Sequence, residues 1–226
     1  MKKIFKTIIS ILLIVNNYRI YPQAMCINYI TTSVESAVIV DNVIKENSEF
    51  LNIDVVIPQI INISDKEKEK DINNEILAYT NMWINEAKEN SQELKPTIPY
   101  EMVSRYYLTN EEEVLSFYID YYQFSGGAHG ITIRKAYNIN TTTGEKVLLS
   151  DLFEEGCDYK SYINNEIEKQ INEYPEEYFT GKEGFNGIKE NQDFYIKDDK
   201  LVIFFPYYEI APYASGMPEF IIDINN

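Results

Sequence analysis

The chain has 226 residues, enough for one large domain or two small ones sharing a core, and its 45% hydrophobic and 14% aromatic content excludes a disordered chain. Its 36 acidic residues against 20 basic ones leave a formal charge of −16, which repels phosphate backbones; nucleic acid is excluded as a partner and a cationic protein is favoured. Tyrosine is abundant at 19 residues, but Asn, Ile and Lys are frequent too, as an AT-rich genome produces, so part of that signal is codon bias.

Lys2, Lys3 and Lys6 surround the start of an apolar run from Ile8 to Val15, closed by Asn16 and Asn17. The run is far short of the roughly 20 apolar residues of a spanning helix, so residues 1–24 are expected to be a signal peptide or short anchor, and the protein to be extracellular or on the cell surface. Membrane attachment would come only through an uncleaved signal or a lipidated Cys26. Whether Cys26 and Cys157 pair is left open by their type and position.

Leu51 to Ile63, rich in Val and Ile, predicts a strand region, with Pro58 at an edge or bulge. A helix follows, capped by Ser64 or Asp65, with Ile72, Ile76, Tyr79, Trp83 and Ala87 as one apolar stripe and Pro96 and Pro99 beyond its end. Three strands come next, Glu101 to Leu108, Val114 to Phe124 and Ile131 to Ile139, and their short connections predict an antiparallel meander. The second helix carries Tyr162, Ile163, Ile167 and Ile171, and is closed by Pro175. Phe194 to Ile196, Leu201 to Phe205 and Glu219 to Ile224 are strands again. The fold class expected is α+β: a largely antiparallel sheet with two main amphipathic helices, in two subdomains forming one compact unit.

Two connections stand apart from ordinary turns. Ser125-Gly126-Gly127-Ala128-His129-Gly130 combines three glycines with the sole histidine; it is either a tight strand connection or a place where backbone approaches a partner closely. Pro206 to Gly216 sets Tyr207, Tyr208 and Tyr213 among prolines and small residues, either as a contact surface or as a lid over the sheet. A hydrolase can be drafted from Ser125 and His129 with Asp120 or Asp151 as the orienting acid, but no G-x-S-x-G elbow is present. One His and two distant Cys supply no zinc ligand set without heavy use of acids, and neither a metal nor a cofactor is expected.

The runs Tyr122 to Gly130, Thr143 to Phe153, Asp193 to Lys197 and Tyr208 to Gly216 together resemble the extracellular module of the RsiV-type anti-sigma factors and PdaC-type peptidoglycan deacetylases, over about residues 46 to 225. The resemblance implies a PdaC-like subdomain over 46–140 and an RsiV-like subdomain over 141–226, without the sigma-binding arm or the deacetylase domain. It also implies a protein-binding rather than catalytic role, lysozyme being the partner of RsiV-like ectodomains. The partner-binding candidates are Ser125, Gly126, Gly127, Ala128, His129, Tyr208, Ala211, Pro212, Tyr213 and Ala214. The alternative function is a cell-envelope hydrolase or glycan-handling domain that uses Ser125 and His129.

Overall fold

The structure, a computed structural model, describes residues 37–224; the expected signal segment and Cys26 lie outside them. A hairpin comes first. Strand β1 (Val38–Asn47) turns through Ser48 into β2 (Leu51–Ile61), whose Leu51, Ile53, Val55 and Ile57 alternate inward. Strand signals in the sequence begin at Leu51, and β1 is not expected from them. The cause is physical: β1 lies at the sheet edge, Ile39 and Ile44 pack inward from positions of opposite parity, and Val38, Val40 and Val43 stay exposed. No period-2 signal survives that change of face.

Helix α1 (Lys66–Leu94) begins at Asp65, whose carboxylate accepts the N–H groups of Glu67 and Lys68. Ile72, Ile76, Trp83 and Ala87 are buried as expected, Tyr79 is half-buried, and Thr80, Ile84 and Ser91 complete the buried face. Each large apolar side chain removed from water in this way contributes about 1.5–3 kcal/mol. Left-handed Lys95 (φ 42°) closes the helix before Pro96 by donating its N–H to Ser91 O. The helix is the crossover that lets β3 (Tyr100–Glu111) run parallel to β2, from Leu51↔Tyr100 to Val55↔Ser104. Past that point the two strands diverge, and the Ser104 hydroxyl bridges Val56, donating to its O (2.9 Å) and accepting from its N–H (3.1 Å). Pro58 lies beyond this bridge and faces only β1, so it sits where the ladder asks nothing of its missing N–H.

Strands β3, β4 (Val114–Phe124) and β5 (Ile131–Asn140) form the antiparallel meander, completing the sheet β1-β2-β3-β4-β5. A 3-10 turn at Leu149–Leu152 leads to α2 (Tyr159–Ile171), capped by Asp158, which buries Ile163 and Ile167 with Tyr162 and Ile171 half-buried beside them. The chain ends in a second, antiparallel sheet of β6 (Phe194–Lys197), β7 (Lys200–Phe204) and β8 (Glu219–Asp223). The fold is thus α+β with two main helices. The largely antiparallel pairing is interrupted once, at the parallel β2–β3 pair.

A small apolar cluster of Tyr195, Val202 and Phe204 against Tyr118 and Ala136 joins the two sheets. Beside it runs a buried polar chain. Ser116 Oγ donates to Asn138 Oδ1 (2.7 Å) and accepts from Ile196 N (2.8 Å), while Asn138 Nδ2 donates to Phe194 O (2.8 Å). These bonds satisfy side chains of the first sheet with backbone of the second, so sliding one sheet on the other would orphan several buried groups at about 1–3 kcal/mol each.

Candidate functional site

The glycine loop between β4 and β5 uses its glycines for two different reasons. Gly126 and Gly127 hold φ of +91° and +95°, with no heavy atom within 4 Å of where a Cβ would stand; they give a left-handed turn in open space. Gly130 instead permits close approach, since a Cβ there would lie 2.5 Å from ring carbons of Tyr122. Ser125, Gly126, Gly127, Ala128 and His129 are all exposed, whereas Gly130 is buried.

The tyrosine loop between β7 and β8 is anchored from below. Ile210 and Ala211 are 3% and 0% exposed, and Ile210 O accepts from Phe179 N at 2.9 Å. Ala211 is therefore corrected as a contact candidate: its side chain belongs to the interior. Tyr208, Pro212 and Ala214 are exposed. Tyr208 holds a left-handed backbone (φ +65°), rare for a residue of this bulk, and the residue is 52% exposed.

Although some eighty residues separate them, the loops touch. The Tyr213 hydroxyl donates to Gly130 O at 2.8 Å. Its ring stacks with His129 (centroids 3.9 Å, 20° between planes) and with Tyr207 (4.7 Å, 24°), and Tyr208 leans toward it at 5.7 Å. Two near-parallel neighbours that close cannot share one face of a ring, so Tyr213 is sandwiched. Such aromatic pairs are worth about 0.5–1.5 kcal/mol each beyond burial. Tyr213 thus acts as a pin between loops, and the groups left outward include His129, Tyr208, Pro212, Ala214 and the Ser125–Ala128 turn.

Charge lies beneath this stack. Arg134 on β5 bonds both carboxylate oxygens of Asp120 on β4 (2.7 and 2.8 Å) and also Glu219 on β8, with its guanidinium 3.7 Å from the Tyr118 ring centroid. Burial works against the Arg134 charge, but the hydrogen bonds and charge of Asp120 outweigh it and raise its pKa further. Burial pushes the Tyr207 hydroxyl up, helped by Tyr213 and Asp120 and opposed by Arg134 and a hydrogen bond with Thr132. In the sequence Asp120 stands out only as a candidate triad acid, and Arg134 does not stand out at all. Hairpin arithmetic could have paired them, because with Gln123 opposite Ile131, Asp120 falls opposite Arg134.

The drafted catalytic relay is not assembled. No hydrogen bond joins Ser125 to His129 among the described residues, and His129 Nδ1 lies 3.0 Å from Gly130 O. Asp120 is held by Arg134, and Asp151 accepts from Leu148 N at 2.9 Å. Among the described residues no three His, Cys, Asp or Glu side chains gather as metal ligands, and no helix is long and apolar enough to cross a membrane.

Residues 44–132 match the family model described as deacetylase PdaC, and residues 150–225 match the protein family of unknown function DUF3298. The chain is 30% identical over 203 residues to the anti-sigma-V factor RsiV of Bacillus subtilis, covering 79% of this chain and 65% of that protein. It is also 30% identical over 95 residues to the peptidoglycan-N-acetylmuramic acid deacetylase PdaC of the same organism, covering 40% of this chain and 20% of that one. Among solved structures, a DUF3298-family member from Bacteroides fragilis superposes with a TM-score of 0.60 at 18% identity, over 83% of this chain and 90% of that one. Another from Pseudomonas aeruginosa superposes with a TM-score of 0.51 at 14% identity, over 85% and 91%. These define the class: a two-sheet α+β module of the DUF3298 fold. The first part of the chain is similar to PdaC-type and the second to DUF3298-type proteins, the family that its motifs resemble, and the chain spans 65% of the length of RsiV and 20% of that of PdaC.

Proposed function

We propose that this chain is an exported, non-catalytic protein-binding module of the bacterial cell surface, and that it binds a cationic protein such as lysozyme through the paired loops. The observation that carries this reading is the Tyr213 pin, which unites two sequence-distant loops into one exposed rim. A rim fixed before binding loses little freedom on association, so its contacts convert to affinity efficiently. The charge of −16 favours fast encounter with a basic partner, and the similarity to an anti-sigma factor favours protein recognition over chemistry.

Calorimetric titration with lysozyme and with an acidic secreted protein, each at two salt concentrations, tests the reading. Saturable binding to lysozyme that weakens with salt is expected, with none to the acidic protein. Equal binding to both, or to neither, contradicts it.

A further inference from the structure

Arg134 leaves β5 on the sheet face that packs against the second sheet, and its side chain is only 9% exposed. Three of its nitrogens are engaged: Nε and Nη2 on Asp120, and Nη1 on Glu219. The Phe204 ring lies 5.6 Å from the guanidinium. Phe204 and Glu219 are register partners, the last pair of β7 and β8, and together they close the base of the tyrosine loop. Asp120 stands on β4 just below the glycine loop, and Thr132, two residues before Arg134, lies near the Tyr207 hydroxyl. One planar fork therefore touches the foot of both loops.

We infer that Arg134 is the positioning residue of the two-loop surface: gripping Asp120 on one hairpin and Glu219 at the foot of the other, it sets the spacing at which Tyr213 meets His129 and Gly130. A guanidinium suits this task because its donors are fixed in one plane, so two carboxylates bound to it are fixed relative to each other. Lysine would keep the charge and lose that geometry. The functional meaning of this role rests on the proposed binding surface, but the coupling itself can be measured without any partner.

His129 is the chain's sole histidine, so its imidazole protons give one resolvable set of NMR signals, displaced by the ring current of Tyr213. Three proteins are compared with wild type: Arg134→Lys; Asp120→Asn combined with Arg134→Met, which removes the pair and leaves only the more exposed Glu219 carboxylate to solvent; and Glu219→Ala at the most exposed member. Tyr213→Ala supplies the reference for an unstacked ring. In each folded variant the His129 signals are expected to move toward the Tyr213→Ala position while the core signals keep their dispersion, a change that lowered stability alone does not produce. Affinity for lysozyme should fall about tenfold or more in parallel. His129 signals that stay in place in folded Arg134→Lys or Glu219→Ala overturn the inference. Signals that move in a protein whose wild type never binds lysozyme uphold it and remove only the binding reading.

Discussion

Gly130 sits where three constraints meet: its Cα faces the Tyr122 ring, its carbonyl accepts the Tyr213 hydroxyl, and the same oxygen lies 3.0 Å from His129 Nδ1. A methyl group there must displace the Tyr122 ring, and overpacking of this kind costs about 1–3 kcal/mol. Gly130→Ala is therefore expected to lower stability by that amount in urea denaturation, whereas an unchanged midpoint would show that Tyr122 swings away freely. The glycine run was conspicuous in the sequence, but the division of labour within it was not. Whether a glycine serves a left-handed turn or a close neighbour depends on what stands opposite, and Tyr122 is opposite only once the hairpin is closed. Tyr213 was legible as a loop aromatic yet not as a pin, because its two stacking partners lie far away or on a neighbouring turn. Ala211 reads as a loop residue and is buried, since small side chains carry little signal of burial.

The elements that were easiest to read are those whose pattern repeats within one segment. Helix α1 shows its stripe at helical spacing, and Trp83 lies at its centre, 5.0 Å from the Tyr121 ring with Nε1 donating to Gln123 at 3.0 Å. Trp83→Ala should cost about 3–5 kcal/mol through lost transfer energy and the cavity left behind; a loss below about 1 kcal/mol in chemical denaturation would contradict this packing. The same core sets an alkaline limit. Burial pushes the Tyr121 hydroxyl up to about 12, against the opposing effect of its hydrogen bond with Thr80. Between roughly pH 10, where the unfolded chain releases that proton, and about 12, the folded state binds more protons, so stability falls as pH rises. Tyr121→Phe should flatten this decline between those limits, and an unaltered slope would assign it to other tyrosines. What the local pattern did not carry was the parallel β2–β3 pair, joined across the whole of α1, and the edge strand β1, whose apolar residues change face midway.

At the scale of the molecule, two sheets share a seam of Ser116, Asn138 and the Tyr195–Phe204 cluster, and the loops converge above it. Chain order alone hides this, because the loops belong to different sheets; the resemblance of their motifs implied one shared surface, and the packing of one sheet on the other brings them together. The antiparallel meander and the final strands could be read segment by segment; the seam could not, as its polar side chains find backbone partners 56 and 80 residues away. The acidic charge gives long-range attraction to a basic protein, and the rim supplies a place for it to land. The most direct measurement of this account is hydrogen-exchange footprinting of the complex with lysozyme. It predicts protection concentrated at residues 125–130 and 206–216 together, with α2 and the β1 edge unchanged. Protection centred on α2 or on β1, or on one loop without the other, would contradict it.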